Sequence, residues 1–136
     1  MDERAPLPCR RVLVVDDDGA VRELLTETYE LEGLEVTAAA SGEEALRRLE
    51  EGPLPELVVL DLKMPGLDGI EVLRRMKLHP VWSRIPVAAI SGAPRSEFSF
   101  VVEPDAFLAK PFEIDALSET MRRLFERGGA AASERP

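Results

Sequence analysis

Asp16, Asp17, Asp61, Ser91 and Lys110 stand where apolar runs end. Arg11-Val12-Leu13-Val14-Val15 stops at Asp16-Asp17-Asp18-Gly19. Leu57-Val58-Val59-Leu60 stops at Asp61, and a turn with Pro65, Gly66 and Gly69 follows. Ile85 to Ile90 stops at Ser91-Gly92, and Ala106-Phe107-Leu108-Ala109 stops at Lys110-Pro111. Runs of this kind read as strands. If the strands are parallel, their ends share one edge, where α/β folds place their ligands. Three carboxylates brought together there repel, and a hard divalent cation such as Mg2+ relieves the repulsion. Lys110 adds a second positive element. Two cations facing carboxylates and a hydroxyl suit a phosphoryl group. Asp61 stands alone at its strand end and is the candidate nucleophile of an aspartyl-phosphate. On its own stretch, Asp61 reads equally well as a cap of the following turn.

The segments between these runs must position them. Val21, Leu24, Leu25, Thr28 and Tyr29 repeat on one face of a helix that stops at Gly33. Glu35 to Ala40 is a second strand. Ser41-Gly42-Glu43-Glu44 fits a capping box for a helix that buries Ala45, Leu46 and Leu49 and runs to about Glu51. Asp68 caps a third helix, with Ile70, Leu73 and Met76 as its buried positions. Ile114, Leu117, Ser118, Met121, Leu124 and Phe125 mark a last helix, expected to end at Gly128-Gly129. Between Ser91 and Lys110, Pro94 and Pro104 bracket a stretch without a helical face, so at most two turns of helix are expected. The sum is a βαβαβαβαβα chain: a parallel, doubly wound sheet with helices on both faces. The expected layout is a lead over residues 1–9, one domain over 10–127 and a disordered tail over 128–136.

Composition narrows the function. The 136 residues suit one domain, and 45% apolar residues suffice for a core. The formal net charge of −9 argues against a nucleic-acid partner, which needs clustered Lys and Arg. No apolar run has the length of a membrane span, and the N-terminus lacks the features of a signal peptide, so a cytoplasmic protein is expected. Cys9 is the only cysteine, which excludes an internal disulfide, and His79 beside Pro80 reads as a loop residue. No glycine-rich phosphate loop follows any strand.

The ordered set Val14-Val15-Asp16-Asp17, Leu60-Asp61 with Met64-Pro65-Gly66 and Asp68-Gly69, Ser91, Phe107 and Lys110-Pro111 resembles a two-component response-regulator receiver domain. The likeness covers roughly Arg11 to Arg127. It implies a flavodoxin-like strand order 2-1-3-4-5. It implies Asp61 as phosphoacceptor, charged from a phosphohistidine of a histidine kinase or a histidine phosphotransfer protein. Asp17, Asp61 and the backbone carbonyl of Lys63 would hold Mg2+, with Asp16 acting through a water. Lys110 would pair with a phosphoryl oxygen, Ser91 would close on the phosphoryl group and Phe107 would follow it inward. Lys110-Pro111 resembles the family's cis peptide. The output would go to an unidentified downstream protein, from a monomer or weak homodimer that catalyses only its own phosphorylation and dephosphorylation.

The sequence departs from the family's pattern at the short stretch before Lys110, at Glu103-Pro104, and at Phe107, which lacks a tyrosine hydroxyl. Two other functions compete. A Mg2+-dependent phosphohydrolase with an aspartyl nucleophile would want a second Asp two residues after the first, where this chain has Lys63. A pseudo-receiver docking module would be missing acids, and this chain has all of them. Lys63 and Ala93, two residues beyond Asp61 and Ser91, should flank the path of attacking water, and neither is a general base. Slow self-hydrolysis is therefore expected.

Overall fold

The computed structural model describes residues 10–133, with side chains through Glu126. The lead over residues 1–9, Cys9 included, and residues 134–136 lie outside the described residues. Five strands form one parallel sheet: β1 (Arg11–Val15), β2 (Glu35–Ala39), β3 (Leu57–Asp61), β4 (Val87–Ser91) and β5 (Ala106–Ala109). Their order is β2-β1-β3-β4-β5, as expected. Helices α1 (Gly19–Leu31), α2 (Gly42–Glu51), α3 (Gly69–Leu78) and α4 (Ile114–Ser133) cover the two faces.

Alternation along the strands divides the core in two. Leu13, Val15, Val58, Leu60 and Val87 face α2 and α3 and pack with Leu46, Leu49, Leu73 and Met76. Val12, Val14, Leu57, Val59 and Ile90 face α1 and α4 and pack with Leu25, Tyr29, Leu117, Met121 and Phe125. β3 and β4 are buried along their whole length, which is why they read as continuous apolar runs. Each such Val or Leu contributes about 1.5–3 kcal/mol by burial.

The helix starts follow local chemistry. Asp18 accepts from the Ala20 and Val21 amides at 2.9 and 3.4 Å, and Asp68 accepts from the Glu71 amide at 3.0 Å. Ser41 accepts from the Glu44 amide at 3.1 Å, but Glu44 reaches back to the Ala40 amide at 2.7 Å rather than to that of Ser41. α1 ends on Gly33 at φ +88°, with the Leu34 amide donating to Tyr29 and the Gly33 amide to Glu30. That left-handed close favours glycine.

Four expectations need correction. Leu24 is 40% exposed, so α1 faces the core through Leu25, Thr28 and Tyr29. In α3, Ile70 is half-buried and Val72 takes a core place beside Leu73 and Met76. Ile114 is 48% exposed at the start of α4. α4 also runs past Gly128-Gly129 to Ser133. Two glycines cost about 1 kcal/mol each in a helix, and the strong helix formers Ala130, Ala131 and Ala132 favour its continuation.

The crossover from β4 to β5 holds one 3-10 turn, Arg95–Glu97, in place of an α-helix. Phe100 and Val102 pack from this segment onto the core beside α3.

Candidate phosphoacceptor site

Register places the site. Val15 pairs with Leu60 and Asp61 with Ile90, so Asp16 follows β1 level with the end of β3. Ser91 pairs with Ala109, and the Lys110 amide donates to the Ser91 carbonyl at 2.7 Å. One edge of the sheet thus carries every strand-end residue that the sequence singled out.

Side-chain oxygens of Asp16, Asp17 and Asp61 lie within 4.8 Å of one another. Asp16 is fully buried and Asp61 is 4% exposed, whereas Asp17 faces solvent. Lys110 Nζ donates to Asp16 at 2.9 Å and to Asp61 at 3.5 Å. The Asp18 amide donates to Asp16 at 2.9 Å, and the Lys63 amide to Asp61 at 3.2 Å. Each buried carboxylate therefore has one oxygen held by backbone and the other by the ammonium.

Burial pushes the Asp61 carboxyl up to about 7, and the Asp16 charge pushes the same way. Lys110 and the Lys63 amide oppose the rise, and the contact with Asp17 adds to it. Burial acts to lower the Lys110 value, but the bond to Asp16 and the charges of Asp16 and Asp61 hold it above the ordinary lysine range. One ammonium does not balance this much buried negative charge. The three-oxygen set fits a small hard cation. Such a cation takes oxygens at about 2.0–2.1 Å, which Asp17 and Asp61 could supply directly while Asp16 reaches it through a water.

The structure brings together Asp16, Asp17, Asp61, Lys110 and the Lys63 backbone. Ser91 is buried at the same edge and accepts from the Ala93 amide at 3.0 Å. Phe107 is half-buried on β5, with its ring 6.0 Å from Phe98. The Lys110-Pro111 peptide is cis, and so is Gly52-Pro53, which the sequence did not single out.

Two residues went unnoticed in the sequence. Arg22 donates to the Asp16 carbonyl at 2.8 Å and ties α1 to the acidic loop. A cation near a helix N-terminus opposes the helix dipole, and that oddity was its one available signal. Glu97 pairs with Lys63 at 3.3 Å, and nothing in its surroundings in the sequence marked it. A separate cavity of about 140 Å³ lies at the opposite edge, lined by Arg11, Thr37, Arg48 and Pro53 among others, and none of the three carboxylates lines it.

A family profile described as the response regulator receiver domain matches residues 12–122. The chain belongs to that family.

This receiver domain is 35% identical over 118 residues to sporulation initiation phosphotransferase F of Bacillus subtilis, covering 83% of this chain and 91% of the relative. It is 34% identical over 122 residues to the phosphate regulon transcriptional regulatory protein PhoB of Rhizobium meliloti, covering 86% of this chain but 52% of that protein. The receiver domain therefore spans about half the length of such transcriptional regulators. Among solved structures, the CheY-like receiver domain protein of Methanospirillum hungatei superposes with a TM-score of 0.80 at 29% identity, covering 91% of this chain and 99% of the other. TrrA of Thermotoga maritima, solved in complex with Mg2+-BeF, superposes with a TM-score of 0.76 at 35% identity, covering 85% and 98%. Among the described residues, no helix of the receiver domain is long and apolar enough to cross a membrane.

Proposed function

We propose that this receiver domain is a phosphoacceptor switch and that Asp61 takes the phosphoryl group. One observation carries the reading. The nearly buried Asp61 carboxylate shares a pocket with two further carboxylates, and one ammonium stands 3.5 Å away. The donor is a phosphohistidine of a histidine kinase or a histidine phosphotransfer protein. An ionised Asp61 oxygen attacks phosphorus, an oxygen–phosphorus bond forms, and the nitrogen–phosphorus bond breaks. Its electron pair returns to the imidazole. A bound Mg2+ supplies positive charge against both the carboxylates and the transferred group.

The chain's own residues do the rest. Asp17, Asp61 and the Lys63 carbonyl would hold the cation, and Asp16 would support it through a water. Asp16 also fixes Lys110, whose ammonium faces Asp61 and meets an incoming phosphoryl oxygen. Ser91 breaks its bond to the Ala93 amide and donates its hydroxyl proton to the phosphoryl group. Phe107 leaves its place beside Phe98 as Ser91 moves. A downstream protein binds the conformation so favoured, because the phosphoryl group makes contacts that only that state offers. Lys63, where an aspartyl phosphohydrolase would want its second acid, pairs with Glu97 and offers no proton acceptor. That favours a switch over an enzyme of turnover.

Acetyl phosphate with Mg2+ should place one base-labile phosphoryl group on Asp61, read by intact mass and peptide mapping. Label that survives in Asp61→Asn overturns the assignment.

A further inference from the structure

Lys63 and Glu97 stand on opposite sides of the pocket mouth. Lys63 lies two residues past Asp61, in the loop from β3 to α3, and Glu97 lies in the 3-10 turn after β4. Their charges meet at 3.3 Å, and the Lys63 ammonium also lies 5.8 Å from the Phe98 ring centroid. Among the described residues, this ion pair is the one polar link from residues 92–104 to the loop that carries Lys63. The other polar contacts of the turn are internal: Glu97 to Pro94, Phe98 to Arg95, and Arg95 to Glu103. Where the fold would otherwise carry a helix, a short irregular segment is thus latched across the site by one pair.

The pair is also easy to exchange. Its side chains are 62% and 53% exposed, and ion pairs of that exposure contribute little. The Lys63 amide donates to Asp61, so its four-carbon stem is rooted beside the proposed acceptor. A phosphoryl group on Asp61 brings a charge of about −1.5 to −2 within reach, against −1 on Glu97. Lys110 is already shared with Asp16.

The geometry points to Glu97 as a positioning residue of the pocket: its pair with Lys63 holds residues 92–99 closed, ahead of the core-packed Phe100 and Val102, and phosphorylation of Asp61 releases them by drawing Lys63 away. The release rests on the reading of Asp61 as phosphoacceptor; the latch does not. The freed segment carries Phe98 and Arg95, whose ring and guanidinium lie 6.0 and 5.8 Å from the Phe107 ring, so the charge exchange passes directly to that aromatic group.

Fast amide exchange of Glu97 and Phe98, measured by NMR on the full chain, tests both parts. Those amides close the turn. Without phosphate, Glu97→Gln and Lys63→Met should each raise exchange about two- to fivefold, the range open to an exposed ion pair. The double variant should show no more than either single change, because the two act through one contact. Additive effects, or no effect, overturn the latch. With acetyl phosphate and Mg2+, wild type should rise to the level of the variants, and the variants should not rise further. A wild type that carries the phosphoryl group, by mass, and keeps its slow exchange overturns the release alone. A wild type that takes no phosphoryl group overturns the release together with the phosphoacceptor reading, while the unphosphorylated variants still decide the latch.

Discussion

Asp61 is held in the folded protein with its carboxyl raised to about 7, chiefly by burial. In the unfolded chain the same group titrates near 3.9. Between those values the folded state binds the proton more tightly, so this contribution is fully present below about pH 4 and is lost as pH rises through about 7. Metal-free protein should therefore lose urea resistance across that window, by more than Asp61→Asn does. Saturating Mg2+ should flatten the difference. Equal pH profiles for the two proteins would show that burial does not strain this carboxyl. A second expectation concerns the lifetime of the phosphoryl group. Lys63 and Ala93 provide no base for water. Lys63→Ala uncovers the group and Ala93→Glu adds a base, so both should lose phosphate faster than wild type. The experiment fails the shielding argument if wild type is the fastest of the three. The acids and Lys110 were legible because each interrupts an apolar run at a strand end. Glu97 was not, because its partner Lys63 lies far off in the sequence and is set by tertiary packing, and Arg22 showed only as a cation misplaced at a helix N-terminus.

At the level of elements, α3 approaches β3 so closely that Gly69 has no room for a side chain. A Cβ there would overlap the Asp61 carbonyl oxygen and lie 2.7 Å from Leu62 Cα. Gly69→Ala should cost about 1–3 kcal/mol through overpacking and slow phosphorylation by displacing the end of β3. Gly19 makes the contrast, since a Cβ there meets only Arg22 at 3.6 Å. Gly19→Ala should stabilise by about 0.4–1 kcal/mol. Denaturant unfolding of both variants distinguishes a tight approach from a generic effect of alanine. The caps at Ser41 and Asp68 were readable because capping is local. The end of α4 was not, because the choice between stopping at Gly128-Gly129 and running on into Ala130 is a balance of small propensities. The crossover before β5 was readable as irregular from its prolines, but where Phe100 and Val102 would pack was not.

For the whole molecule, the parallel sheet and the two-sided core follow from alternating strands and helices, whereas the order 2-1-3-4-5 rested on family likeness. Cation binding is the property that the whole fold should feel. If Mg2+ occupies the pocket only when the chain is folded, it stabilises by about 2.7 kcal/mol at a hundredfold excess over Kd. Wild type should melt at a higher temperature with Mg2+, and Asp17→Asn should melt at nearly the same temperature with and without it. A full metal response in Asp17→Asn would move the site elsewhere.

The missing helix between β4 and β5 also leaves a place for proteases. Arg95 is the single basic residue between Arg84 and Lys110, it is exposed, and it sits in one turn of 3-10 helix. Helices and paired strands resist cleavage because a protease must first extend its substrate, and here only one turn has to open between Pro94 and Phe98, which are already extended. Brief trypsin treatment of the native protein should cut after Arg95, between β4 and β5, leaving two pieces that stay associated through the strands on either side.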